Sequence, residues 1–118
     1  MDEREFQRRT RQLALDVVKL VERLPRNRTA DVLGRQLLRA GTSVGANYRA
    51  ACRAKSRPDM VAKLGIVEEE TDEVIYWLLL LVDAGVIGEP AARDLVAEAD
   101  GILAMTVASI KTLRRSHA

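Results

Sequence analysis

With 118 residues the chain has the length of one ordinary domain with a single core, and no second domain is expected. Apolar residues make up 47% of it but only four are aromatic, and Ala, Leu, Val, Arg and Glu dominate, which favours a helical bundle over a sheet protein. The net charge of +2 conceals a segregation along the chain, with eight basic residues to one acidic between Pro25 and Arg57, and one to seven between Pro58 and Gly88.

The first predicted helix spans residues 2–24. Phe6, Leu13, Val17, Leu20, Val21 and Leu24 recur at spacings of three and four. Asp2, Glu3 and Glu5 in its first turn suit the helix dipole, Arg4, Arg8 and Arg11 share an exposed side, and Pro25 stops it. The segment MDEREFQRRT lacks the apolar stretch of a signal peptide, and no apolar run reaches the ~20 residues of a membrane span. The expected location is the cytoplasm, with no membrane association.

The second predicted helix, 29–56, starts at Thr29 or Asp31 and carries three faces at about 100° per residue. Arg35, Arg39, Arg49, Arg53 and the adjoining Arg57 form a stripe that is positive from end to end. Roughly opposite lie Leu33, Leu37, Ala40, Val44, Tyr48 and Ala51, with the recurrence of a core face. Between them Gly34, Leu38, Gly41, Gly45 and Cys52 make a strip of mainly small residues that would let another helix come close. Gly41, Thr42, Ser43 and Gly45 are poor helix formers, each glycine costing about 1 kcal/mol against alanine. The helix is expected to be continuous because the three faces stay in register across them. Cys52 is the only cysteine, so it forms neither an internal disulfide nor a CxxC site, and packing is its expected role.

The third predicted helix, 57–85, opens on Ser56 as N-cap, with Pro58 in the first turn and Asp59 completing a capping-box-like S-x-x-D. Met60, Leu64, Val67, Thr71, Val74, Ile75, Leu78 and Val82 form its stripe. From Val74 to Val82, VIYWLLLLV, the helix is apolar all round, more than one small bundle can cover. The excess, notably Trp77, Leu80 and Leu81, is expected at an oligomer interface. Gly85 ends this helix. The fourth, 90–115, repeats Leu95, Ala99, Ile102, Thr106, Ser109 or Ile110, and Leu113. The expected fold is all-α, an antiparallel up-down-up-down four-helix bundle, oligomeric.

Catalytic machinery is hard to find in this sequence. Di-iron bundles need Glu-x-x-His pairs, and the sole histidine is His117. Magnesium-dependent nucleotide pyrophosphohydrolases use ExxE and ExxD pairs on neighbouring helices. Glu69 with Asp72, or Glu70 with Glu73, could supply one half, but Asp94, Glu98 and Asp100 have the wrong spacing for the other. A chorismate-mutase-like pocket would need its arginines to converge inward, whereas this stripe lies opposite the core face. No Ser or Cys with a His partner, P-loop or GxGxxG is present, and no metal or cofactor is expected. The acidic run Glu68–Glu73 is then either a solvated face or a partner to the arginines: in a hairpin about Arg57, Arg39 comes level with the Glu73 region and Arg49 approaches Glu68.

The runs TSVGANYRAACRAKS and VAKLGIVEEETDEVIYWLLLLVDAGVI carry a resemblance covering nearly the whole chain. With Ser43-Val44 and Asn47, Ser56 before the third helix, and the acidic run leading to Leu78 and Gly85, the sequence resembles a four-helix bundle family. That family was first known from open reading frames in intervening sequences of bacterial 23S ribosomal RNA genes, and is sometimes labelled S23 ribosomal protein. Many members read N-I-A-E-G after the serine; here Asn47-Tyr48-Arg49-Ala50-Ala51 lacks the glutamate and glycine. The resemblance implies an antiparallel bundle assembled as a ring-like homopentamer. A similar bundle is the accessory protein of diversity-generating retroelements, a basic pentamer that binds nucleic acid and a reverse transcriptase.

The function expected is that of a non-enzymatic oligomeric bundle binding RNA or DNA through the basic face of the second helix, without base readout. Arginine grips phosphates bidentately, and a line of them can follow a nucleic-acid backbone. Aromatic residues for single-strand stacking are few. The competing expectation is a structural or adaptor oligomer with a protein partner, its arginines spent in intersubunit ion pairs.

Overall fold

The computed structural model describes residues 2–115, and His117 lies outside them. Four helices account for nearly all of that span: α1 Glu3–Glu22, α2 Arg28–Cys52, α3 Arg57–Asp83 and α4 Glu89–Arg115. The three longer ones are 25, 27 and 27 residues, and at about 1.5 Å per residue they set the long dimension of a body measuring 50 × 21 × 20 Å. Helix α2 packs on both α1 and α3, α3 packs on α4, and α4 closes more lightly on α1.

Local chemistry fixes the ends. The Asp2 carboxylate accepts from the Glu5 N–H at 2.8 Å and caps α1. Asn27 caps α2, its side-chain oxygen accepting from the Ala30 N–H at 2.9 Å, so the helix starts earlier than a Thr29 or Asp31 cap would place it. Ser56 caps α3 by accepting from the Asp59 N–H at 3.1 Å, while the Asp59 carboxylate accepts from the Lys55 N–H at 3.2 Å. That cap also shortens α2 relative to the expected end at 56. Ser56 must be extended (φ −158°) to receive the α3 N–H groups, so α2 stops at Cys52 with Arg53 as its C-cap. After α3, Gly85 takes φ +75°, the left-handed conformation that lets the chain reverse towards α4.

Helix α2 is continuous across Gly41-Thr42-Ser43-Gly45. The Thr42 and Ser43 hydroxyls donate back to the carbonyls of Leu38 and Arg39, both at 2.8 Å. The glycines are a fit to α1. A Cβ on Gly34 would stand 2.7 Å from Leu24 Cδ1, on Gly41 2.9 Å from both Val17 methyls, and on Gly45 3.3 Å from the Thr10 hydroxyl. Further along, Tyr48 stacks on Phe6 at 4.1 Å between ring centroids, with 7° between the planes. As α2 advances from Gly34 to Tyr48, its partners therefore retreat from Leu24, just beyond α1, to Phe6 within it.

The core is built from one stripe per helix. Phe6, Leu13 and Val17 meet Leu37, Ala40, Val44, Tyr48 and Ala51 from α2, Leu64, Val67, Val74, Leu78 and Leu81 from α3, and Leu95, Ala99, Ile102 and Ile110 from α4. Three threonines share this interior, and each satisfies its hydroxyl within its own helix: Thr10 donates to Gln7 O, Thr71 to Val67 O and Thr106 to Ile102 O. Among the described residues no buried side-chain nitrogen or oxygen lacks a partner. None of the helices is long and apolar enough to cross a membrane.

Leu81 is fully buried, which corrects its assignment to an oligomer interface. It continues the core sequence Leu64, Val67, Thr71, Val74, Leu78, spaced alternately by three and four. The apolar surplus instead faces outward through Tyr76 (58% exposed), Leu79 (48%) and Ile66 (40%), with Leu80 and Trp77 half-buried beside them. The Trp77 indole N–H donates to Glu73 Oε1 at 3.4 Å, and its ring meets Tyr76 edge-on.

Candidate nucleic-acid interface

Arg35, Arg39, Arg49, Arg53 and Arg57 are all exposed, but they do not form one uniform stripe. Relative to Arg35 and Arg53, helical geometry turns Arg39 by about 40° one way and Arg49 by about 40° the other. Arg39 is on the α3 side. Its guanidinium donates to both Glu70 oxygens, the nearer at 3.0 Å, and forms a second ion pair with Glu73; its Nε donates to the Gln36 side chain. Burial opposes the charge on Arg39, but the two carboxylates outweigh it and hold its pKa above the ordinary value. Two of the five carboxylates of the acidic run are thus spent on one arginine.

Arg49 is on the α1 side and forms no ion pair with Glu68, correcting the expectation that the two approach each other. It lines a groove of about 570 Å³ between α1 and α2. From α2 come Thr42, Gly45, Ala46, Arg49, Cys52 and Arg53; from α1 come Glu3, Gln7, Thr10, Arg11 and Ala14. Arg11 therefore joins Arg49 and Arg53, although its sequence neighbours at i−7 and i−3 belong elsewhere: Arg8 pairs with Glu5, and Arg4 lies with Asp2, Glu3, Glu5 and Arg8 around a shallow depression. The signal for Arg11 was present in its spacing from Glu3, Gln7 and Ala14, one face of α1, but which α2 face it opposes depends on the glycine seam. Among the described residues no ion pair engages Arg11, Arg35, Arg49, Arg53 or Arg57. Arg35 sits towards the other end of α2, in a smaller cleft with Arg26, Glu22 and Asp31.

At the Phe6 end of the groove, burial first and the neighbouring Glu3 carboxylate second push the Cys52 thiol above its ordinary pKa. Burial likewise raises the Tyr48 hydroxyl beneath it, with Cys52 adding to the effect. Cys52 is accordingly a protonated thiol at neutral pH, not an activated nucleophile. On the opposite side of α1, Arg9 reaches α4, donating from Nε to Glu98 Oε1 at 3.1 Å and from Nη1 to Met105 Sδ at 3.5 Å. Among the described residues no three His, Cys, Asp or Glu side chains converge as metal ligands would.

The sequence matches the family described as 23S rRNA-intervening sequence protein over residues 2–108. A crystal structure of a protein of unknown function from the S23 ribosomal protein family of Bacteroides thetaiotaomicron is similar at a TM-score of 0.88 with 32% identity, covering 94% of this chain and 99% of that one. Among curated proteins none matches. The match over nearly the whole chain, on a fold that superposes end to end, places this protein in the 23S rRNA-intervening sequence (S23) family.

Proposed function

We propose that the protein is a non-enzymatic, oligomeric bundle that binds RNA or DNA through the phosphate backbone, without reading sequence. The observation that carries this reading is the division among the arginines. Arg39 is neutralised by Glu70 and Glu73, whereas Arg49, Arg53 and Arg57, around the turn from α2 to α3, stay exposed and without an ion pair among the described residues, where they hold positive potential towards solvent. What the sequence resemblance implies, a bundle similar to the basic accessory protein of diversity-generating retroelements, agrees with this reading. The partner register of α1 and α2, from Gly34 beside Leu24 to Tyr48 on Phe6, supports an antiparallel up-down-up-down arrangement. The outward apolar residues Tyr76 and Leu79 support self-association, and the resemblance implies a homopentamer.

Electrophoretic mobility and anisotropy titrations at several salt concentrations test the reading. Each phosphate contact contributes about −0.9 to the slope of log affinity against log salt on duplex DNA and about −0.7 on single strands. Reversing Arg49 and Arg53 together to glutamate is expected to flatten the slope and weaken all sequences alike. Unchanged binding with a dissociated oligomer would instead favour a structural or adaptor oligomer, in which the same arginines pair with carboxylates of a neighbouring subunit, as Arg39 already does within the chain.

A further inference from the structure

The groove between α1 and α2 is where unpaired positive charge meets a concavity. Its bed is made of small side chains, Thr10, Ala14, Thr42, Gly45 and Ala46, because the seam between the two helices is closed by glycine and leaves little to fill the space above it. Its edges are guanidiniums, Arg11 from one helix and Arg49 and Arg53 from the other, opposed in the lining by the single carboxylate of Glu3. Beyond Arg53 the positive charge continues through exposed Lys55 and Arg57.

We propose that this groove seats the sugar-phosphate backbone of a single nucleic-acid strand, with Arg11, Arg49 and Arg53 gripping neighbouring phosphates. The proposal rests on the nucleic-acid reading above and narrows it to one side of α2, to a residue of α1, and to unpaired strands. Planar guanidiniums held on two sides of a trough can each take a phosphate in bidentate fashion. A single strand is flexible enough to lie in a trough between helices whose axes stand about 8–10 Å apart. A duplex, stiff over about 150 base pairs, presents a convex surface that meets only the rim. The charge running past the groove through Lys55 and Arg57 suits an occupant longer than the groove, and a free nucleotide would leave those two unused. Among the described residues no aromatic side chain lines the groove, so the bases find no stacking platform there and the grip is indifferent to sequence.

The test combines anisotropy titrations of a labelled homopolymer strand and of a duplex of equal length with the rate of maleimide modification of Cys52, which lines the same groove. The strand is expected to bind more tightly than the duplex and to slow Cys52 modification several-fold, while ATP does not. Arg11→Glu and Arg49→Glu are each expected to weaken strand binding by about tenfold or more, as loss of a charge-assisted contact does, and Arg93→Glu, on α4 and outside the groove, to change it little. Arg11→Gln, with helicity checked by circular dichroism, separates loss of the contact from any effect of reversed charge on folding. Strand binding that is indifferent to Arg11→Glu and leaves Cys52 unprotected overturns the groove while the broader reading stands. Protection by ATP at affinity equal to the strand's replaces the strand with a small phosphate ligand. Failure of strand and duplex alike to bind removes the broader reading together with this one.

Discussion

Gly41 and Gly65 are both glycines within helices, yet their surroundings assign them opposite roles. A Cβ on Gly41 would press on Val17 at 2.9–3.0 Å, whereas one on Gly65 would have nothing within 4 Å. Gly41→Val is therefore expected to destabilise the fold by about 1–3 kcal/mol through overpacking. Gly65→Ala is expected to stabilise it by up to about 1 kcal/mol, the helix-propensity difference with no steric cost. Urea denaturation of the two variants measures both, and similar effects of one sign would show that propensity outweighs packing at the seam. The buried end of the groove adds a pH dependence. Folding raises the pKa of the Cys52 thiol and of the Tyr48 hydroxyl, so the unfolded chain releases these protons first. Their contribution to stability is complete below the ordinary thiol range and declines as pH rises above about 8.5–10. An alkaline loss of stability that is reduced in Cys52→Ala and Tyr48→Phe is the expected outcome of pH-dependent melting.

At the scale of elements, the exposed contact that joins α2 to α3 by charge among the described residues is Arg39 with Glu70 and Glu73. With the arginine side chain 47% exposed, solvent screens the pair, and Arg39→Ala is expected to cost less than about 1 kcal/mol. Its signature is a greater loss than Arg35→Ala gives, and one that shrinks at high salt. Equal losses from the two variants in thermal unfolding would mean that the carboxylates contribute nothing to stability. The level of Arg39 with this acidic run was legible in the sequence, since the Ser56 cap and Pro58 fix where the hairpin turns, and counting away from that point does the rest. The side taken by Arg49 was not. A displacement of about 40° around α2 has meaning only once α1 is known to lie on that side, and three-dimensional packing at Gly34, Gly41 and Gly45 decides that. The stretch from Val74 to Val82 failed for a related reason. A run that is apolar in every direction carries no phase, so Leu81 in the core and Leu79 on the surface read alike until the positions of α2 and α4 separate them.

For the whole molecule, the outward side of α3 is the surface on which the proposed self-association rests. Tyr76, Leu79 and Ile66 expose apolar surface that a monomer would leave in water. Light scattering is expected to give a mass several times the 13.1 kDa of one chain. Tyr76→Ser with Leu79→Ser is expected to lower that mass while the helical spectrum persists, because neither side chain belongs to the core. Leu81→Ser is expected to unfold the chain or come close to it, since it opens a cavity among fully buried neighbours. A monodisperse monomer at micromolar concentration would show that the surface serves some other contact.

The three core threonines have a consequence for how the chain finds a unique arrangement. Thr10, Thr71 and Thr106 each direct the hydroxyl hydrogen to a carbonyl of their own helix. A polar group satisfied in that way imposes no penalty when its helix slides or rotates against the next, unlike a buried pair that must match across an interface. Among the described residues the interior thus contains no polar code against misaligned packings, and discrimination falls to the margins. The notch where Val17 enters at Gly41 excludes slippage of α1 on α2 by shape. Arg39 with Glu70 and Glu73, and Arg9 with Glu98, penalise slippage elsewhere by leaving charges without partners. Filling the notch and neutralising both arginines would accordingly leave a chain that is still helical and still collapsed, but distributed among several alignments, with broadened amide resonances and a shallow unfolding transition in place of a sharp one.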